Sequence, residues 1–160
     1  MTNLGGDEIQ KEGTEAYGYD IRIGTDGSVG YTVTRVTVPT DETASASQAL
    51  DPVVLTVAWH ALAIARGLAT STGFTGTWDL GLRLTRLEGA TSMVFDDPRY
   101  FRHEGVPYDE PEYERVGSAT LADLEDPNDT VRRLTQPLLR GLASWNRWVE
   151  ALPELRGGEG

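Results

Sequence analysis

DPVVLTVAWHALAIARGLAT, residues 51–70, is the stretch that decides how this chain folds. Asp51-Pro52 is typical of an N-cap followed by the first residue of a helix. The residues after it are apolar on nearly every side, and a helix with so few charges is seldom a plain surface helix. We therefore expect it to be the central helix. At about 100° per residue, its deep face is predicted to contain Val54, Val57, Ala61, Ile64, Ala65 and Leu68.

Small and polar residues form a narrow stripe along another side of this helix. The stripe contains Thr56, His60, Ala63, Gly67 and Thr70, with Trp59 and Arg66 beside it. Aromatic and arginine side chains are common anchors of protein interfaces. We predict an interface made by Trp59, His60, Ala63, Arg66 and Gly67, through which the chain self-associates. His60 is interpreted as a structural histidine, since no serine-containing motif lies near it.

The residues before the helix predict a β-hairpin. YGYDIRI and, after GTDGS, VGYTV both place apolar side chains at every second residue. A three-residue loop, 25–27, puts Ile23 opposite Val29 and Ile21 opposite Tyr31. Burial favours this register, because a slip of one residue turns the apolar face outward.

The chain between the hairpin and the helix is less regular. A change of parity after Val33 predicts a bulge near residues 34–35. PTDETASASQ, residues 39–48, is interpreted as a linker.

Three more strands are predicted after the central helix. WDLGLRLTRLE alternates like a half-buried strand, with Trp78, Leu80, Leu82 and Leu84 on one face. A turn at residues 88–90 is expected to reverse the chain so that TSMVF pairs back with it. YERVGSATL is the candidate for a fifth strand.

The last predicted element is a long amphipathic helix. We expect Asp126 to cap it, Pro127 to start it and Pro137 to bend it, because proline lacks the N–H that would bond to Arg133. Its apolar stripe contains Val131, Leu134, Leu138, Leu142, Trp145, Val149 and Leu152. Arg133, Arg140 and Arg147 recur on the opposite side and are interpreted as a solvated face.

The predicted element order is ββ-α-ββ-β-α. This order is typical of a two-layer α+β domain, with a mainly antiparallel sheet of about five strands and two helices packed on one face. We expect residues 16–153 to form this single domain. Residues 1–15 are expected to be a flexible N-terminal segment, and residues 154–160 a flexible tail.

Composition excludes several classes of protein. The 160 residues include two histidines and no cysteine. The absence of cysteine rules out a disulfide framework and a thiolate metal site. No uninterrupted apolar run reaches the length of a membrane span, and the N-terminus lacks the features of a signal peptide, so we expect a cytoplasmic protein. The net charge of −11 argues against direct binding of nucleic acid.

Most of the negative charge lies in residues 96–129, which hold eleven acidic residues and three arginines. Within that segment, DPRYFRHEGVPYDEPEYE combines prolines and carboxylates with aromatic side chains. We predict a loop that is pinned by its aromatic residues and recognises a basic protein surface. Its candidate residues are Tyr100, Phe101, His103, Tyr108, Asp109 and Glu110.

No metal or cofactor is predicted from the sequence. His103 lies among carboxylates whose spacing is irregular, whereas a metal or catalytic site needs fixed geometry. The glycines of GLATSTGFTGTWDLG follow a helix, whereas phosphate-binding loops run from a strand into a helix.

Two segments resemble a known family. VVLTVAWHALAIARGLATSTGFTGTWDLGLRLTRLEGATSMVF and EYERVGSATLADLEDPNDTVRRLTQPLLRGLASW are similar in apolar spacing, LEGA turn and DPND helix start to the C-terminal accessory region of actinobacterial Schlafen/AlbA-type putative DNA-binding (ATP-binding) proteins. The resemblance covers most of residues 53–145. It implies an accessory module that contacts proteins, either free-standing or part of a longer chain. It assigns no functional residue, because the family's nucleotide or nucleic-acid chemistry is expected in an N-terminal domain outside these residues.

Three functions follow as hypotheses. The first is a non-enzymatic interaction or regulatory domain, with self-association through the central-helix stripe. The second is a free-standing acidic immunity or anti-defence protein that covers a basic partner surface with residues 96–129. The third is a small-ligand-binding or enzymatic domain with a pocket near Trp78, Tyr31 and His60.

Overall fold

The computed structural model of the protein describes residues 2–3, 19–24, 28–33, 36–39, 47–49, 51–96 and 105–152. The strands are β1 (Thr2–Asn3), β2 (Tyr19–Ile23), β3 (Val29–Val33), β4 (Thr37–Pro39), β5 (Ser47–Ala49), β6 (Trp78–Thr85), β7 (Thr91–Ser92) and β8 (Glu112–Ala119). The helices are α1 (Asp51–Thr72), α2 (Leu121–Glu125), α3 (Asn128–Gly141) and α4 (Trp145–Ala151), and a 3₁₀ turn spans Met93–Asp96. The predicted mixture of helices with mainly antiparallel strands is confirmed.

The strands form three small sheets in the described part of the chain, where the sequence predicts one. Their strand orders are β1-β2-β3, β4-β5-β7 and β6-β8, and only the β5-β7 pairing is parallel. β4 and β5 lie at the two ends of the predicted linker, and residues 40–46 between them fall outside the described residues. Thr2–Asn3 pairs with β2, while residues 4–18 of the N-terminal segment fall outside the description.

The predicted hairpin register is confirmed. β2 and β3 are antiparallel, with Ile23 opposite Val29 and Ile21 opposite Tyr31. Ile21 and Tyr31 are both half-buried, as expected when opposite residues of the ribbon share its inner face. The loop residues 25–27 and the predicted bulge at 34–35 lie outside the described residues.

β6 pairs with β8 and not with TSMVF, so the predicted local pairing is wrong. The ladder runs from Trp78 opposite Ala119 to Thr85 opposite Glu112. After β6 the backbone turns at Arg86, which has a φ of 62°, and the Leu87 N–H donates to the Pro111 carbonyl. Two residues of TSMVF pair with β5, and the next four form the 3₁₀ turn. Eight consecutive pairs with β8 outweigh the short sequence separation on which the prediction was based.

α1 is central, but its buried face is not the predicted one. The buried residues of the helix are Asp51, Val54, Leu55, Ala58, Leu62, Ala65 and Ala69. This face is turned by about a quarter of a revolution from the predicted one. α2 and α3 pack against α1 and enclose Leu55 and Leu62 in a cluster with Leu124, Val131 and Leu139. Because α1 is apolar on nearly all sides, periodicity alone did not identify which side these helices cover.

Asp51 begins α1, and its carboxylate lies almost fully buried. Its Oδ2 accepts a hydrogen bond from the Ser92 hydroxyl at 2.6 Å and another from the Trp148 indole N–H at 2.8 Å. Its Oδ1 is buried without a partner among the described residues. The sequence assigns Asp51 to an N-cap, whereas the side chain joins α1 to β7 and α4.

The predicted terminal helix is divided into two helices. α3 continues through Pro137 and ends after Gly141, where Ala143 adopts a φ of 57° and the Ser144 N–H donates to the Leu139 carbonyl. This hydrogen bond and the left-handed Ala143 are features of a Schellman motif. They place the break between the helices six residues after Pro137. Asp126 ends α2 and does not cap α3.

A shorter helix, α2, precedes α3 and was missed. It starts with a capping box in which the Thr120 hydroxyl and the Asp123 carboxylate each accept the other residue's backbone N–H. The hydrogen bonds from Thr120 lower the pKa of Asp123.

The apolar stripe of the terminal segment is confirmed. Val131, Leu134, Leu138 and Leu142 are buried, and Trp145, Val149 and Leu152 are half-buried. On the opposite side Arg133 and Arg140 are exposed, and Arg147 is half-buried.

α1 is also the one helix in the described ranges that is long and apolar enough to cross a membrane. It has 22 residues, and 33% of its most apolar window is buried within the protein. A central helix of a small domain meets the same criterion. The contacts of α1 with α2, α3 and β3 are those of such a helix.

Leu138→Ala should lower the free energy of unfolding by about 2–5 kcal/mol, because it opens a cavity at a fully buried site. Arg140→Ala should change it by less than about 0.5 kcal/mol, because this side chain is exposed on the other side of α3. Urea denaturation of the two variants checks both values. Equal losses would mean that the face of α3 is assigned wrongly.

Candidate functional site

A cavity of about 870 Å³ lies between β3, α1 and β6. Its surface is mostly apolar. Ligand-binding cavities in proteins commonly enclose roughly 300–1,000 Å³. The size therefore suits either a small molecule or a short length of peptide.

The floor of the cavity is the face of α1 that the sequence assigns to the core. Val57, Ala61 and Leu68 line it, together with part of the buried face at Ala58 and Ala65. The apolar residues were correctly recognised as a face, but in the structure they border open space. This face of α1, which the sequence assigns to the core, is therefore the first surface to test for a function.

The walls of the cavity are formed by two strands that belong to different sheets. Residues 77–84 on one side and residues 28–29 and 31–33 on the other line it almost without interruption. Consecutive strand residues point alternately to opposite faces. A lining that includes both faces therefore borders the strand edge, where the backbone groups lie.

Trp78 supplies an unused hydrogen-bond donor to this region. It lines the cavity, and its indole Nε1 is buried with no partner among the described residues. Its ring packs edge-on against Phe74, with centroids 5.6 Å apart. Buried indole N–H groups normally find a partner, so an acceptor supplied by a bound molecule would satisfy it.

The residues predicted to surround a pocket are only partly brought together. Trp78 and Tyr31 both line the cavity. His60 does not line it, although its ring meets Tyr31 edge-on at 6.3 Å between centroids. His60 is exposed, and its interpretation as a structural histidine stays a prediction.

The predicted stripe on α1 lies mostly in solvent. His60, Ala63, Arg66 and Gly67 are exposed, and a Cβ added at Gly67 would have no neighbour within 4 Å. Trp59 differs from them, because it is half-buried against the cluster under α1. Its Nε1 donates to the Asn128 Oδ1 at 3.2 Å, which ties α1 to the start of α3.

The predicted acidic loop is described from residue 105 onward. Tyr108 is half-buried against the cluster that contains Leu138 and Leu142, and its backbone N–H donates to the Ala90 carbonyl at 2.8 Å. A Cβ added at Gly141 would lie 2.8 Å from the Tyr108 ring, so glycine permits this close approach. Asp109 and Glu110 are exposed beside it.

Burial raises the pKa of Tyr108, and the charges of Glu110 and Asp109 raise it further. Tyr100, Phe101 and His103 lie outside the described residues. Within the described ranges, no three histidine, aspartate or glutamate side chains are grouped so that they could hold a metal ion.

No protein-family model, curated protein or solved structure matches this chain. The resemblance to the Schlafen/AlbA-type accessory region accordingly stays a prediction.

The sequence did not reveal that an edge of β3 and an edge of β6 border the same cavity, which is the feature most relevant to function. The signal for β6 and β8 was present, since both strands alternate, but their partners were not encoded locally. The capping box of α2 was recognisable, because Thr120 and Asp123 have the required spacing.

Tyr113 lies in β8, after the predicted acidic loop. Its side chain is buried, and its hydroxyl donates to the Leu134 carbonyl in α3. Burial raises the pKa of Tyr113 to about 12. A raised folded-state pKa means that the phenol stabilises the fold fully below its ordinary pKa of about 10. This stabilisation is lost as the pH rises from there to about 12.

The free energy of unfolding of the wild type should therefore fall more steeply between pH 10 and 12 than that of Tyr113→Phe. Tyr19→Phe removes a phenol that is 57% exposed and should follow the wild-type curve. Denaturation at a series of alkaline pH values measures all three. Parallel curves for the wild type and Tyr113→Phe would contradict the buried phenol.

Proposed function

We propose that this chain is a cytoplasmic, non-enzymatic protein-interaction domain that binds its partner in the cavity between β3, α1 and β6. The observation that carries the proposal is an apolar helix face bordered by two strand edges and left uncovered by the described elements. Apolar surface of this kind contributes about 25 cal/mol per Å² when it is buried. A partner that fills the cavity gains this term.

The exposed stripe on α1 is a less favourable surface for the same role. Trp59, its one large apolar member, is already packed and hydrogen-bonded within the chain. The remaining members are small, polar or charged, and they give an interface little apolar anchor.

A small apolar ligand is the second candidate for the cavity. The volume of about 870 Å³ and the unpartnered Trp78 Nε1 favour it, because ligand sites combine an apolar lining with a few polar groups. Denaturing the purified protein and analysing the released molecules by mass spectrometry tests this candidate.

Ala61→Trp should fill the cavity and weaken partner binding at least about tenfold, whereas Ala63→Trp should leave it unchanged. Both alanines lie on α1, but Ala61 lines the cavity and Ala63 is exposed and absent from its lining. Proteins captured on immobilised wild-type chain are identified, purified and titrated calorimetrically against each variant.

Equal binding by the wild type and both variants would move the site away from the cavity and overturn the proposal. Melting temperatures check that the variants fold. If Ala61→Trp melts early, Thr32→Trp blocks the same space from the exposed side of β3.

A further inference from the structure

β3 and β6 each have one edge that pairs with no strand among the described residues. β3 pairs with β2, and β6 pairs with β8. Of the described residues, none from β2 or β8 lines the cavity, which lies beside β3 and β6. Two rows of backbone N–H and C=O groups consequently border one slot above α1.

We infer that this slot receives an extended segment of a partner protein, which pairs with β3 on one side and with β6 on the other. The inference rests on the proposed function and adds the manner of binding. Strand addition to an exposed sheet edge is a common mode of peptide recognition. Here the added strand would give the order β1-β2-β3-partner-β6-β8 and turn two small sheets into one.

The floor of the slot defines the inward side of the partner segment. Val57, Ala61 and Leu68 lie there half-buried, and the small side chain of Ala61 leaves room for a larger apolar one. Every second residue of an inserted strand faces this floor. β3 is five residues long, so the segment spans roughly 17 Å and places two or three apolar side chains on α1.

The charge on the outer face of the β6-β8 ribbon indicates which side chains the outward side of the partner segment carries. On the outer face of the β6-β8 ribbon lie Asp79, Glu112 and Glu114, against one arginine, Arg83, which is bonded to Glu112 at 2.7 Å. The chain as a whole carries a net charge of −11. Lysine or arginine between the apolar residues of the partner segment complements this surface.

Other occupants satisfy these features less well. A small molecule leaves the two rows of backbone groups unpaired, and an unpaired buried group costs about 1–3 kcal/mol. A second copy of the chain brings the same excess of negative charge. A basic, alternating segment from another protein satisfies the backbone, the floor and the charge together.

The test is selection of a phage-displayed library of random 12-residue peptides on the full chain. Enriched peptides should alternate apolar with basic residues, and Ala61→Trp should remove the enrichment while Ala63→Trp retains it. A synthetic copy of the best peptide, N-methylated at two alternate residues, should bind at least about tenfold more weakly, because each added methyl removes one ladder hydrogen bond.

Three outcomes would overturn strand addition. These are no enrichment above a blank surface, enrichment of peptides without alternation, and unchanged affinity after N-methylation. Partner binding that is still lost in Ala61→Trp would then leave the proposed function standing. Enrichment and partner binding that both persist in Ala61→Trp would instead remove the cavity as the site.

Discussion

The structure depends on one constraint: α1 is apolar on almost every side, yet its neighbours cover it unevenly. α2 and α3 exclude water from the face that contains Leu55 and Leu62. On the adjacent face Val57 and Ala61 meet a cavity instead of packed side chains. The cavity has a volume of about 870 Å³, which is within the size range of ligand and peptide sites. The proposed partner and the manner of its binding both derive from this uneven coverage.

A buried carboxylate also favours the observed rotation of α1. Asp51 accepts hydrogen bonds from Ser92 and Trp148, which follow it by 41 and 97 residues in the sequence. Hydrogen bonds to charged groups contribute about 1.5–3 kcal/mol each. A rotation that buried Val57 and Ala61 would carry the carboxylate away from both donors. The same contact therefore favours the rotation in which Val57 and Ala61 line the cavity.

The features that could be predicted from the sequence are those that depend on residues close together in the chain. The hairpin register and the stripe through Leu138 followed from periodicity, because in each case only one arrangement buries the apolar side chains. The break at Ala143 did not, since alanine at a left-handed φ has no sequence signature. Partners distant in sequence were missed for the same reason: β6 meets β8 across 26 intervening residues, and nothing local distinguishes β8 from TSMVF. The cavity depends on those distant pairings, so its apolar residues could be recognised as faces of α1 and β6 but not as the lining of one cavity.

The central claim is that the facing edges of β3 and β6, which pair with no strand among the described residues, are open to a partner strand. Residue-resolved amide hydrogen exchange by NMR measures this directly, because an amide bonded within a sheet exchanges far more slowly than one that faces solvent. In each strand, alternate N–H groups point toward the slot. The account predicts that protection alternates along residues 29–33 and 78–85 in the free chain. Uniform protection along both strands would show that the edges are already paired, and would contradict an open slot.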